Sequence, residues 1–233
     1  MLLIRLNARA LAHRILFNLA YVFFKLFFGI VFRFPLFVWL RIEGRARVPR
    51  RGGLIIVANH LSLADPPVLW YAAPRHLCFV GRADIPNIPL IGAIARLAKT
   101  VPIRQRAPDR QALKLAIETV QSGEALVIFP EGELSESGDL QPFLPGVLLI
   151  LRQTRAPVLP VGIIGTDKIM PYGKLVPKPA FGTVVVRFGE VIPAERILSL
   201  PTPEAQLEFL EEQVARLSGQ RRANARIKSQ HGV

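Results

Sequence analysis

The hydrophobic pattern divides this 233-residue chain near residue 43. Before it, apolar and aromatic side chains dominate: Ile15–Phe32 reads ILFNLAYVFFKLFFGIVF, followed by Arg33, Phe34, Pro35 and LFVWL. After it, short apolar runs alternate with segments of helical spacing. Leu54–Ala58, Leu77–Val80, Ala125–Phe129, Val158–Ile163 and Thr183–Phe188 have strand length, and Val101–Arg104 reads as extended. Pro86–Leu97 carries helix-like spacing. Asp109 is placed to cap a helix running through Gln121, with Leu113, Ala116, Ile117 and Val120 on one face. Ser122-Gly123 ends it, because glycine accepts the left-handed cap conformation. Gly146–Thr154 and Pro203–Leu217 complete the helices. Buried strands alternating with helices predict an α/β fold, with a central mixed, largely parallel sheet flanked by helices.

The N-terminal segment is too interrupted for an obvious membrane span. A spanning helix needs about 20 mainly apolar residues. Here Asn18, Lys25 and Arg33 break the run, and the longest uncharged piece, Ile15–Phe24, is too short to cross. Two amphipathic helices, about 3–31 and 36–42, are expected to lie in the membrane interface. Their Lys and Arg heads would reach the phosphates while Phe, Leu and Trp39 enter the acyl layer. A single span is the alternative. A signal peptide fits less well, since no small-residue cleavage site follows the apolar part. The expected organisation is an interfacial anchor over 1–42, an α/β domain over 43–220 and a basic tail over 221–233.

Charge strengthens this picture. The formal net charge is +13. Residues 1–51 contain ten basic side chains (Arg5, Arg9, Arg14, Lys25, Arg33, Arg41, Arg45, Arg47, Arg50, Arg51) against one acid, Glu43. Basic residues interleaved with the most apolar stretch indicate an anionic membrane surface rather than a nucleic-acid backbone. Trp, Tyr and Phe concentrate there too, not among the later Arg and Lys, so no nucleic-acid partner is expected. The tail cluster Arg221, Arg222, Arg226 and Lys228 reads as a frayed, solubilising end. The single cysteine, Cys78, excludes an intramolecular disulfide and a cysteine-based metal cluster, and it reads as a small buried hydrophobe.

The candidate chemistry lies just after the first core strand, in VANHLSLADPP. Within one helix, His60 and Asp65 would diverge by about 140°. Pro66, however, disfavours helical geometry at Asp65, and Asp followed by Pro makes a good N-cap and first-turn pair. A loop therefore carries His60, a helix begins at Asp65, and the turn between them brings carboxylate to imidazole. Such a carboxylate fixes the tautomer and leaves the second ring nitrogen free to accept a proton. A neutral imidazole, with an ordinary pKa of about 6.5, suits deprotonation of an alcohol. No Gly-x-Ser-x-Gly elbow is present, so direct attack by a substrate hydroxyl fits better than a covalent intermediate. By itself the histidine is equally compatible with a structural role, with Asp65 only capping a helix. Ser62 reads as a loop hydroxyl bonding nearby backbone.

Taken together, NHLSLAD at 59–65 and FPEGELS at 129–135 resemble the glycerolipid acyltransferase family, which includes the lysophosphatidic acid acyltransferases. Its first signature, Asn-His-(x)4-Asp, is matched by Asn59, His60 and Asp65. Its third, Phe-Pro-Glu-Gly-Thr-Arg-Ser, is matched by Phe129, Pro130, Glu131, Gly132 and Ser135 but not by Glu133 and Leu134. The stretch ending VPIR resembles the second signature and puts Arg104 at the family's phosphate-binding position. VLPVGI, with Pro160, resembles the fourth, a strand ending in proline. The likeness covers roughly residues 43–195.

This resemblance implies that His60 is the base, that Asp65 orients it, and that Glu131, Gly132 and Arg104 bind substrate. It implies transfer of a fatty acyl group from acyl-CoA or acyl-carrier protein to the sn-2 hydroxyl of lysophosphatidic acid, giving phosphatidic acid, with no cofactor and no metal. The expected location is the cytoplasmic face of a membrane, as a monotopic or single-span protein. Glu133 and Leu134 depart from the family where an arginine often serves the phosphate, and an added acid there costs phosphate affinity. A different lysolipid acceptor, such as a lysophosphoethanolamine or an aminoacyl lipid, is therefore the alternative. From other classes, a non-catalytic basic membrane adaptor would also fit the charge. A metal-dependent hydrolase would need more than His60, Asp65 and His76, for which no established ligand spacing exists.

Overall fold

The computed structural model describes residues 22–23, 25–34, 36–82, 100–103 and 109–223. The expected helix Pro86–Leu97, most of the first amphipathic segment and the end of the basic tail lie outside these residues. The elements in chain order are helix α1 (25–33), β1 (Val38–Glu43), β2 (Leu54–Ala58), α2 (Asp65–Ala72), β3 (Leu77–Arg82), β4 (Val101–Ile103), α3 (Arg110–Gln121) and β5 (Ala125–Ile128). There follow α4 (Gly146–Thr154), β6 (Val158–Ile164), the single turn α5 (Thr166–Ile169), β7 (Gly182–Phe188), α6 (Ala194–Leu198) and α7 (Pro203–Ser218).

The strands form one seven-stranded sheet in the order β1-β7-β6-β2-β5-β3-β4. Every neighbouring pair is parallel except β6 and β7. Both faces of the central strands are buried, which explains their unbroken apolar runs. In β2, Leu54, Ile56 and Ala58 face a core shared with Phe28 and Phe32 of α1 and Val68 and Leu69 of α2. Ile55 and Val57 face the opposite core, with Ala116 and Val120 of α3, Leu148 and Leu151 of α4, and Leu210 and Val214 of α7. Gly162 lets α7 lie directly on β6: a Cβ there would fall 2.3 Å from the Leu217 carbonyl carbon.

The helix ends follow local chemistry. The Asp109 carboxylate accepts from the Ala112 N–H at 2.9 Å, and Gly123 after α3 takes a left-handed φ of 89°. Thr202 caps α7 by accepting from the Ala205 N–H at 3.2 Å.

The sequence expectation of a helix over 36–42 is corrected. Phe37 has φ 54°, which ends any helical path, and Val38–Glu43 pairs in register with Gly182–Arg187. The segment is an edge strand with Val38 buried and Trp39 exposed. Its β-branched and aromatic side chains suit that place, and Glu43 joins the strands through Arg187 Nε at 2.8 Å. The start of the tail also differs from a frayed end: Leu140 N–H donates to the Arg221 carbonyl, and Ala223 N–H donates to the Leu140 carbonyl.

Candidate active site

The site sits at the sheet edge where β2, β5 and β6 end. Asn59 follows β2 and is wholly buried. Its Oδ1 accepts from the Ile163 N–H at 2.7 Å, and its Nδ2 donates to the Ile163 carbonyl at 2.8 Å. The last β2–β6 pair is Ala58 with Val161, so the amide extends the ladder beyond the paired backbone. This clamp fixes the direction in which the chain leaves the sheet and thereby the position of His60.

Asp65 is the first residue of α2 rather than its cap, as the sequence suggested; Ala64 occupies the cap position without a side-chain bond. The freed carboxylate turns back into the loop. Its Oδ2 accepts from the Leu61 N–H at 2.7 Å, the Ser62 N–H at 2.8 Å and His60 Nδ1 at 2.9 Å. Oδ1 is buried and has no partner among the described residues. An ionised carboxylate only accepts, so the histidine proton is assigned to Nδ1. Nε2 then carries a lone pair, with no protein partner among the described residues. The His60 side chain is 16% exposed while Asp65 is completely buried, so the pair opens to solvent only on the imidazole side. Ser62 has the backbone-bonding role expected of it: its Oγ donates to the Met170 carbonyl at 2.8 Å and accepts from the Ala64 N–H at 3.0 Å.

The second wall comes from the turn after β5, the strand beside β2. Phe129 stacks on the imidazole with ring centroids 4.1 Å apart and planes 16° from parallel. Glu131 is 3% exposed. Its Oε1 accepts from the His60 N–H at 2.6 Å and its Oε2 from the Gln141 N–H at 2.8 Å. The Ser135 N–H donates to the His60 carbonyl at 2.9 Å, and Ser135 Oγ donates to the Asp139 carbonyl at 2.6 Å. Gly132 turns the chain with φ 77°, a conformation costly for any residue with a Cβ. Buried Pro130 accepts from the Leu144 N–H through its carbonyl at 2.8 Å.

Asn59, His60, Asp65, Phe129, Pro130, Glu131, Gly132 and Ser135 thus converge from two loops seventy residues apart in sequence. Pro160 does not end its strand: it lies buried in the middle of β6 opposite Val57. Arg104 lies outside the described residues. The Glu131 carboxylate spends an oxygen on each loop's backbone and so acts as a brace beneath the histidine. Nothing in the sequence signalled its partner at Gln141, because the bond goes to backbone. A groove of about 700 Å³ lies beside α1, lined by Lys25, Leu26, Gly29, Ile30, Arg33, Phe34, Ile42, Arg45 and Tyr71. It includes none of the residues around His60. Burial, aided by the nearby Arg45 charge, pulls the Lys25 ammonium down to about 8; its Nζ donates to the Ala73 carbonyl at 2.6 Å. Among the described residues, no three His, Cys, Asp or Glu side chains converge to hold a metal ion.

A carboxylate-oriented imidazole open on one side, at the carboxyl edge of a largely parallel sheet, is an arrangement that can accept a proton from a small molecule bound there. The family model named Acyltransferase matches residues 40–164, more than half of the chain, and the chain belongs to that family. It is 36% identical over 121 residues to the chloroplastic 1-acyl-sn-glycerol-3-phosphate acyltransferase BAT2 of Brassica napus, covering 51% of this chain and 35% of that protein. It is 30% identical over 172 residues to the lyso-ornithine lipid O-acyltransferase of Pseudomonas aeruginosa, covering 67% of this chain and 64% of that one. The crystal structure of the 1-acyl-sn-glycerophosphate acyltransferase PlsC from Thermotoga maritima superposes with a TM-score of 0.71 at 28% identity, over 86% of this chain and 79% of that one. The chain spans between about a third and two thirds of the length of these two curated relatives.

Proposed function

We propose that this protein transfers a fatty acyl group from a thioester donor to a lysolipid hydroxyl, with His60 as general base. The observation that carries this reading is the His60–Asp65 pair, whose open Nε2 stands at the sheet edge with Asp65 behind it and Phe129 across its face. Nε2 takes the acceptor's hydroxyl proton as the oxygen attacks the thioester carbonyl. Asp65 holds the Nδ1–H and stabilises the imidazolium that forms. Collapse of the tetrahedral intermediate breaks the C–S bond, and the departing thiolate receives the proton from His60. An ester C–O bond replaces the thioester.

Lysophosphatidic acid is the acceptor favoured by the names of most of the similar proteins, with Arg104 proposed to meet its phosphate and acyl-CoA or acyl-carrier protein as donor. A second reading has its own support. Exposed Glu133 and half-buried Leu134 replace the polar and basic residues common in the family, and the lyso-ornithine lipid enzyme matches along more of the chain than does the Brassica protein. An acidic side chain near the mouth suits an amine-bearing head group better than a phosphate monoester.

The proposed location is the cytoplasmic face of a membrane. In α1, Leu26, Phe27 and Ile30 are exposed beside Lys25 and Arg33, a composition fit for the interface. Among the described residues no helix is long and apolar enough to cross a membrane.

The test incubates detergent-purified protein with labelled acyl-CoA or acyl-carrier protein and a panel of lysolipids, identifying products by mass. Acylation of a lysolipid that vanishes in His60→Ala, with circular dichroism unchanged, is the expected result. Full activity in His60→Ala defeats the mechanism. The panel member consumed fastest decides between the phosphate and amine acceptors.

A further inference from the structure

The β6–β7 junction has a consequence beyond fold. Among the described strands it is the one antiparallel pair, so β7 and its parallel neighbour β1 begin at the edge where β2, β5 and β6 end. The segment between α5 and β7, MPYGKLVPKPAF over 170–181, therefore emerges beside the His60 loop. Its root is fixed: Met170 is buried, its carbonyl accepts from Ser62 Oγ, and the Lys178 N–H donates to the Ile169 carbonyl at 2.9 Å to close the neck.

Beyond that neck the chain exposes large apolar side chains that nothing among the described residues covers. Val176 is 76% and Phe181 75% exposed, with Tyr172 and Leu175 also exposed. Lys174 and Lys178 stand between them, and residues 170–181 contain no acid. Phe181 stacks on Phe37 with centroids 4.9 Å apart and planes 8° from parallel, and Phe34 meets Phe37 edge-on at 5.4 Å. Phe37 and Phe181 have φ of 54° and 42°. Aromatic residues rarely adopt that conformation, and here it is held at both positions to present a continuous plate to solvent. Arg33 lies 3.8 Å above the exposed ring of Trp39 on the same edge strand.

The geometry points to a second membrane-docking element: the 170–181 loop, joined to the Phe34–Phe37 turn by the stacked rings, inserts into an anionic bilayer. Leu175, Val176 and Phe181 enter the acyl layer while Lys174 and Lys178 reach the lipid phosphates. The occupant is a lipid surface rather than a protein, because apolar tips flanked by flexible cations match the layered polarity of a bilayer. A bilayer there also lies against the catalytic edge, tied to His60 through Met170 and Ser62. The inference concerns binding and does not depend on which acceptor is used.

The test places an environment-sensitive fluorophore on a single cysteine in a Cys78→Ala background. One probe sits at Val176→Cys. A control sits at Ser122→Cys, which leads into β5 at the opposite edge of the sheet. Full-length protein is titrated with equimolar phosphatidylglycerol–phosphatidylcholine vesicles and with phosphatidylcholine alone. The probe at 176 is expected to shift to the blue and brighten, more strongly with the anionic vesicles, while the probe at 122 stays unchanged. No response at 176, or equal responses at both positions, overturns the proposal. As an independent measurement, Leu175→Asp/Val176→Asp should lower vesicle partitioning by at least about tenfold. Unchanged partitioning in that variant, with melting behaviour retained, also overturns it. Acyl transfer to a detergent-dispersed acceptor bypasses the bilayer and should be unaffected. Its absence in the unmodified protein would strike at the catalytic reading alone.

Discussion

Asp65 offers the sharpest separation between chemistry and architecture. Its Oδ2 holds the Leu61 and Ser62 N–H groups as well as the imidazole. In Asp65→Asn those two donors force the amide oxygen into the Oδ2 position, since the alternative sets NH2 against two N–H groups. The oxygen then still faces Nδ1, and the tautomer is retained. What disappears is the negative charge behind the imidazolium. Two unit charges about 4 Å apart interact by about 4 kcal/mol at an effective dielectric constant near 20. Much of that stabilisation is realised only when His60 becomes protonated, so kcat should fall by about 10²–10³-fold. Folding should suffer less, although the new NH2 sits where Oδ1 already lacks a partner. Asp65→Ala differs, because both backbone N–H groups become unpaired in a buried loop, at about 1–3 kcal/mol each. A fall in Tm on the order of 10 °C should accompany its loss of activity. The assay is steady-state acyl transfer beside thermal unfolding of both variants. An Asn variant within about threefold of the parent kcat would refute the electrostatic role of the carboxylate. An Ala variant that melts with the parent would refute the bracing role.

Three further outcomes follow from other contacts. Glu131→Gln turns an NH2 toward either the His60 or the Gln141 N–H, so one loop detaches; stability should drop by about 1–3 kcal/mol in denaturant titration, with a loss in kcat rather than in KM. Gly162→Ala drives a methyl into the α7 backbone and should cost about 1–3 kcal/mol, read as a lower urea midpoint at unchanged m. Lys25 is held near 8 in the folded chain against 10.5 in its unperturbed state, so between these values the unfolded chain binds the extra proton and this group makes stability rise with pH. Lys25→Met should remove that rise, and an unchanged slope in the difference between the two pH–stability curves over this window would contradict the burial of the ammonium.

The sheet class, most central elements and the His60–Asp65 pair were legible in the chain because each rests on local signals. Apolar runs mark doubly covered strands, and Asp109, Pro203 and Gly123 mark helix ends. The Pro after Asp65 ends the possibility that histidine and aspartate share one helix. Residues 36–42 misled because an amphipathic composition serves an interfacial helix and an exposed edge strand equally, and only pairing with β7 decides between them. The loop at 170–181 carries no local motif that marks its role.

Composition and period thus determined most of the central strands and helices and brought the candidate residues His60 and Asp65 into view, because those choices depend on neighbours within a few positions. Tertiary structure alone decided that Glu131 braces the histidine loop through backbone N–H groups, that Asn59 clamps β6, and that the antiparallel β6–β7 junction brings the aromatic edge beside the one carrying His60. These depend on strand order and direction, which arise from packing among residues seventy to more than a hundred positions apart, where no local pattern in the chain encodes the pairing.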